Sequence, residues 1–458
     1  MLDPLVRHTV KATAPVLETH GVDLTRHFYA RMFQHNPELR EIFNQGHQRS
    51  GAQQQALAMA VAAYARHIDD PSVLMPVLER IAHKHVSLGI RAEHYGIVGR
   101  HLLASISEVL GEAATPAVID AWAQAYGQLA DVLIGLEGSL YKAASEQPGG
   151  WTGWRTFRVV RKQAESDEIT SFELAPADGG AVPPFKPGQY VSVRVVVPEL
   201  GHRQPRQYSL SDAPGKGHLR ISVKREDGLA EQPQGMVSNH LHQRLSEGDV
   251  IEVAPPAGEF FLHEDRDTPV VLISAGVGIT PMMAMSRHLS TQGDRPFKLY
   301  YLTRDPAGSA FLEELRGADF SSSVVVHHDL GDPANAFDLW PVLEKAGAAT
   351  GRHVYFCGPK PLMDAIKDMT GHWPSSTVHS ESFGGDTKPH ADDQHLEHML
   401  ARRGLQHVER AQRAAGGARQ AAGRAQHEQA GVAAQHQVQQ RQQRIQAQAD
   451  LGEQPHAE

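Results

Sequence analysis

The chain has 458 residues, 41% of them hydrophobic, with 44 basic against 53 acidic side chains and a formal net charge of -9. That length suits about three domains of ordinary size, and the acidic balance gives no electrostatic signature for nucleic acid or an anionic membrane. The single cysteine, Cys357, excludes an internal disulfide and a cysteine-ligated iron–sulfur cluster.

Residues 1–145 read as all helix. Apolar side chains recur at three and four, as in Leu24, Phe28, Met32 and in Leu129, Leu133, Leu136, Leu140, and Pro37, Gly51, Pro71, Gly89, Gly111 and Pro116 fall between the periodic stretches. Glu146-Gln147-Pro148-Gly149-Gly150 reads as a linker. From Trp151 the pattern changes to short alternating runs such as Tyr190–Val195 and Leu219–Lys224, punctuated by Pro187-Gly188 and Pro214-Gly215. An antiparallel β-barrel is expected over 151–263. Residues 268–384 alternate strand and helix. Val270–Ile273 and Val354–Cys357 are continuous apolar runs of the kind buried in a parallel sheet, so an α/β domain is expected. The remainder, 385–458, has no Phe, Trp or Tyr and is dominated by Gln, Ala, Arg, His, Gly and Glu. It reads as a low-complexity polar tail that cannot bury enough apolar surface to fold alone. No apolar run reaches the ~18 residues of a membrane span. The N-terminus lacks a charged-then-apolar signal, so a cytoplasmic protein is expected.

Three patterns carry chemistry. The first is Lys84-His85, in the helical stretch from Pro76 to Gly89, where His85 shares an apolar stripe with Leu78, Ile81 and Ala82. A lone histidine there is more often a hydrogen-bonded core residue than a ligand. Glu137, four residues beyond Leu133 and eight beyond Leu129, lies on the buried face of its own helix. A buried carboxylate needs a partner, and a ligating imidazole needs an acceptor on its second nitrogen. The two requirements satisfy each other, and Tyr95 can complete the hydrogen bonding. The second pattern, Arg206-Gln207-Tyr208-Ser209, is a strand suited to a flavin. The third, Ser274-Ala275-Gly276-Val277-Gly278-Ile279-Thr280-Pro281, lies between a strand and a helix and suits a dinucleotide: glycines let the backbone approach a pyrophosphate, and the helix N-terminus favours its charge.

Residues 1–383 resemble the bacterial flavohaemoglobins, globin–reductase fusions that act as nitric oxide dioxygenases. The motifs are His27-Phe28-Tyr29-Ala30-Arg31-Met32-Phe33, Ile42-Phe43-Asn44, Gln53-Gln54-Gln55-Ala56-Leu57, Lys84-His85-Val86-Ser87-Leu88-Gly89 and Trp122–Gly127. The resemblance implies haem b with His85 as its iron ligand and Tyr95 and Glu137 as the partners of His85. It places Tyr29 and Gln53 over the distal face, Phe43 and Leu57 against the haem, and Lys84 toward the reductase. With Pro187-Gly188-Gln189-Tyr190 and Gly235-Met236-Val237-Ser238, the Arg206–Ser209 strand is similar to the ferredoxin-reductase superfamily. That similarity implies FAD, with Tyr208 on its ring, Ser209 near its N5 and Arg206 on its phosphate. Cys357-Gly358-Pro359 would lie beside the nicotinamide of NADH or NADPH, and Phe383 against the flavin.

The chain departs from the family at Ile279, where Gln is frequent, at Gly385, where Pro is usual, and in its long tail. The stretch from His327 through Tyr355-Phe356-Cys357-Gly358-Pro359-Lys360 is also similar to phthalate-dioxygenase-type reductases. The expected activity is oxidation of NO by O2 to nitrate, with electrons from NAD(P)H through FAD and no obligate protein partner. A flavin reductase feeding a separate oxygenase, and a haem sensor of O2 or NO, are the alternatives.

Overall fold

The computed structural model describes residues 2–43, 52–228, 234–264, 268–347 and 352–383. The tail and the turn at Gly51 lie outside these residues. All described residues belong to one compact unit, Met1–Leu396.

The described residues of the first third hold five α-helices: α1 (Pro4–His35), α2 (Ala52–Arg66), α3 (Met75–Leu88), α4 (Ala92–Leu110) and α5 (Pro116–Glu146). Local chemistry sets their ends. The Asp3 carboxylate accepts from Leu5 N at 2.8 Å and Pro4 occupies the first turn of α1. α3 stops at Gly89, whose φ of +77° is a left-handed cap. Phe28, Met32, Leu102, Ile106, Trp122 and Ala125 meet in the core, and the Trp122 indole N–H donates to Thr13 Oγ1 at 2.9 Å. The stretch read as a linker is a tight turn. α5 continues to Glu146, Gly149 takes φ +76°, and the Arg155 guanidinium donates to the Gly149 carbonyl at 3.1 Å.

The second region is a six-stranded antiparallel sheet of β1 (Arg155–Ala164), β2 (Ile169–Pro176), β3 (Tyr190–Val197), β4 (His202–Ser209), β5 (Leu219–Lys224) and β6 (Val250–Val253), in the order β4-β3-β6-β1-β2-β5. An isolated bridge, Leu210↔Ile221, links the end of β4 to β5. Phe157, Phe172, Leu174, Val193 and Ile221 fill its interior, joined by Val237 and Leu241 of α6 (Met236–Arg244). Burying each such side chain is worth roughly 1.5–3 kcal/mol.

The third region is a five-stranded parallel sheet of β7 (Val270–Ala275), β8 (Phe297–Thr303), β9 (Val324–His328), β10 (His353–Cys357) and β11 (Val378–Glu381). Its order is β11-β10-β7-β8-β9, with α7 (Ile279–Gln292), α8 (Leu312–Gly317), α9 (Trp340–Gly347) and α10 (Lys360–Thr370) between strands. Growth reverses between β7 and β10, and in doubly wound sheets the crevice beyond the carboxyl ends at that reversal takes the ligand. Among the described residues, no helix is long and apolar enough to cross a membrane.

Candidate functional site

α3 and α5 pack against each other and bring His85 to Glu137. The imidazole Nδ1 lies 2.8 Å from Glu137 Oε1 and 3.1 Å from the Tyr95 hydroxyl, and that hydroxyl donates to Glu137 Oε1 at 2.5 Å. Glu137 is 2% exposed, so its two donors replace the water it gave up. Burial, and then the Glu137 carboxylate, hold the Tyr95 phenol far above its ordinary pKa and keep it protonated. The Tyr126 hydroxyl donates to the Tyr95 carbonyl at 2.7 Å, and Tyr126 fits because α4 has Gly99 there, where a Cβ would come within 2.4 Å of the ring. Among the described residues no hydrogen bond engages His85 Nε2. A ring with Nδ1 anchored on a carboxylate and Nε2 without a protein partner is the donor arrangement of a metal-ligating imidazole. These residues fit a haem iron.

Tyr29 is buried among Phe28, Phe33 and Phe43, with its ring centroid 5.6 Å from that of Phe43. Leu57 is half-buried against the same cluster. Gln53 belongs to the first turn of α2, and its side chain lies outside the described residues.

In the second region, β4 places Arg206, Tyr208 and Ser209 beside β3, with Tyr190 paired to Ser209 and Val191 to Tyr208. Gln207 donates to Ser192 Oγ at 3.3 Å. Arg206 is desolvated, which lowers its pKa, and among the described residues its guanidinium donates only to the Pro205 carbonyl, at 2.7 Å. Among the described residues no carboxylate pairs with it. A desolvated cation with unused donors fits a phosphate, and these residues fit FAD.

In the third region, Ala275 ends β7, Gly276 turns with φ +53° and Val277 to Gly278 complete a short 3-10 turn before α7 opens at Ile279. Thr280 Oγ1 donates back to the Val277 carbonyl at 3.0 Å. A Cβ on Gly278 would come within 2.2 Å of the Cys357 carbonyl, and one on Gly358 within 3.2 Å of Ala275 N. The two loops therefore touch at the reversal point of the sheet. Such a cradle, at the N-terminus of a 14-residue helix, fits a dinucleotide pyrophosphate. Burial raises the Cys357 thiol pKa, so the group is neutral and inert.

Known proteins share this arrangement. The globin family matches residues 26–133, and the oxidoreductase FAD-binding domain family matches residues 156–262. The chain is 57% identical over 401 residues to the flavohemoprotein of Bordetella parapertussis, covering 84% of this chain and 99% of the relative. The chain belongs to the flavohemoproteins. The crystal structure of flavohemoglobin from Malassezia yamatoensis, with bound FAD and heme, aligns with a TM-score of 0.73 at 27% identity, over 84% of this chain and 100% of that one. Phthalate dioxygenase reductase is 43% identical across 52% of this chain and 70% of its own, with a TM-score of 0.46.

The globin meets the reductase along α3 and along Pro37–Glu41, where Gln204 Nε2 donates to the Arg40 carbonyl at 3.2 Å and Arg203 reaches Glu41 at 3.7 Å. Arg80 reaches Glu259 at 3.4 Å, and Gly258 N donates to His83 Nδ1 at 3.3 Å. The Ser87 hydroxyl donates to the Lys84 carbonyl at 2.8 Å. Burial pushes the Tyr190 phenol up to about 12. Lys84 is desolvated, which lowers its pKa, and faces the charge of Glu381, whose carboxyl burial raises to about 7. Glu381 pairs with Cys357 across β10 and β11. Phe383 is 44% exposed and is the last described residue. The seam residues Arg80, His83, Glu259 and Glu381 were absent from the sequence-based site. Arg80, His83 and Lys84 recur at helical spacing, and that polar stripe was the available signal.

Proposed function

We propose that this oxidoreductase is a cytoplasmic nitric oxide dioxygenase. It combines nitric oxide with dioxygen to give nitrate, one electron per nitrate, so one NAD(P)H supports two turnovers. Bound haem b supplies the iron centre where the gases combine, and bound FAD divides the two electrons of the nicotinamide into single transfers.

The chain's own residues set the geometry. His85 would hold the iron through Nε2, and Glu137 and Tyr95 fix the ring's orientation and its Nδ1 proton. A carboxylate on that proton makes the imidazole more electron-donating. On the opposite side the Tyr29 hydroxyl and Gln53 would act as donors toward bound gas, with Phe43 and Leu57 as apolar packing. Arg206 would pair with the FAD phosphate, and Tyr208, Ser209, Gln207 and Tyr190 would line the ring. Ala275–Thr280, with Cys357 and Gly358, would hold the nicotinamide nucleotide, and Phe383 would cover the flavin. Lys84, on the iron ligand's helix, and Tyr190, on the strand beside the flavin strand, would face each other's domains across the seam.

The observation that carries the reading is that His83, on the helix bearing His85, accepts from Gly258 N in the loop that lies against the Tyr190 ring, and Tyr190 pairs with Ser209 of the flavin strand. The test is an absorption spectrum of purified protein, then nitric oxide pulses in air with NADH or NADPH. Haem and flavin bands with two nitrates formed per nucleotide oxidised are expected. Both bands, a reducible flavin and no nitric oxide consumption would overturn the proposal in favour of a sensor. His85→Ala should lose haem and keep FAD; full haem retention would discard the ligand assignment.

A further inference from the structure

We infer that Arg220, Glu314, Arg287 and Asp212 form the contact that registers the nucleotide domain against the flavin domain, and are thereby positioning residues for flavin reduction. The inference rests on the proposal that NAD(P)H reduces FAD in this chain.

Arg220, on β5, is 6% exposed and belongs to the flavin domain. Its Nη1 donates to Glu314 Oε2 at 2.9 Å and its Nη2 to Glu314 Oε1 at 3.2 Å, a two-point fork onto a carboxylate of α8 in the other domain. Its remaining donors go to Ser211, through Oγ at 3.2 Å and through the carbonyl oxygen. Glu314 also accepts from Arg287 Nε at 2.6 Å, and Arg287 reaches back to Asp212 at 3.7 Å. Asp212 is 4% exposed and holds Lys216 at 2.7 Å. The guanidinium of Arg220 lies 5.0 Å from the ring of Phe311, which adopts φ +62°, a strained value for a bulky side chain.

Two features tie this cluster to the chemistry rather than to mere adhesion. Ser211 and Asp212 follow the flavin strand directly after Ser209 and Leu210, and Arg287 projects from α7, the helix that opens at the nucleotide turn. Each end of the network is thus rigidly joined to one of the two cofactor cradles. The second feature is the character of the seam. Ile169, Phe260 and Leu262 pack into the core of the nucleotide domain. Apolar contact of that kind is non-directional and tolerates sliding. Beside it lies a cavity of about 340 Å3 lined by charges of both signs, including Glu165, Lys216, His218 and Arg287. A forked arginine–carboxylate pair is directional and fixes register as well as contact. Hydride transfer moves two electrons and a proton together from the dihydronicotinamide, which is oxidised, to the flavin, which is reduced. It needs the reacting atoms within about 3–3.5 Å, and a displacement near 1 Å costs on the order of 100-fold in rate.

The test is Glu314→Gln in the full chain with both cofactors bound, which keeps shape and removes the anion shared by two guanidiniums. Anaerobic stopped-flow should show the limiting rate of flavin reduction falling at least tenfold, with the dissociation constant for NADH within about twofold of the parent. The long-wavelength absorbance of oxidised nicotinamide stacked on reduced flavin should weaken. Flavin content and reduction by dithionite should not change, and Glu314→Asp should recover part of the rate. If Glu314→Gln fails to fold, Arg287→Lys, which replaces the planar guanidinium on Glu314 and Asp212 with a shorter single-point donor, is expected to give the same separation of rate from affinity. A limiting rate within twofold of the parent in a folded variant would overturn the register. An unsubstituted protein whose flavin neither NADH nor NADPH reduces would overturn the underlying cofactor reading as well.

Discussion

At His85 one ring nitrogen is committed twice and the other is left for a ligand, and that asymmetry comes from one buried carboxylate. Glu137→Gln preserves volume and an acceptor oxygen but removes the charge on Nδ1. The expected result is retained haem and a 10- to 100-fold slower nitric oxide turnover, read from nitric oxide consumption alongside the haem absorption band. Unchanged turnover would mean the anion is only structural. This triad was legible in the sequence for a definite reason. Leu129, Leu133 and Glu137 keep an apolar helix face whose one charge must be partnered, and His85 shares a stripe with Leu78, Ile81 and Ala82. Glu314 had no such context. It is one of two adjacent glutamates in a short helix, and its partner Arg220 is 94 positions away in the chain. Nothing in local spacing joins them, because the pairing exists only once two domains have docked.

The elements followed local rules closely where prolines, glycines and caps punctuate the chain. α3 ends at the glycine that ends its periodicity, and the strand–turn–helix at Gly276–Thr280 falls where the glycines lie. The residues expected to link the globin to the sheet instead extend α5 to Glu146 and then turn tightly, since Gly149 supplies a positive φ that composition alone does not distinguish from flexibility. On α3 the sequence pointed toward the reductase only through Lys84, and docking adds Arg80 and His83 of the same polar stripe. One consequence belongs to the loops at the carboxyl ends of β7 and β10. A Cβ on Gly278 meets backbone, the Cys357 carbonyl, rather than a side chain that can rotate away. Gly278→Ala should therefore part the two loops, weaken NADH binding at least tenfold and lower stability by about 1–3 kcal/mol. Fluorescence titration with NADH and thermal melting would measure both, and native-like affinity would show that the loops need not touch.

At the scale of the whole molecule, one source of acid sensitivity lies where β11 pairs with β10 in the parallel sheet. His379 lies between His353, at 2.9 Å from Nδ1 to Nε2, and the ring of His263, with centroids 4.6 Å apart, while Tyr355 stacks on it at 4.4 Å. Burial, and then the two neighbouring imidazoles, push its pKa down to about 3 from 6.5. Between those values the unfolded chain binds a proton that the folded chain refuses, so stability present above pH 6.5 is lost as pH falls toward 3. Replacing His379 with Gln should flatten the decline of melting temperature from pH 7 to pH 4.5 relative to the parent; parallel declines would refute the assignment. The seam along α3 has a consequence for protein engineering. The globin is not an interchangeable cartridge, because Arg80 and His83 belong to the helix that carries the iron ligand, and its cap Gly89 lies under Trp154. A graft that brings in a foreign globin must transplant that stripe with it, or the recipient inherits a haem pocket electrically cut off from its flavin.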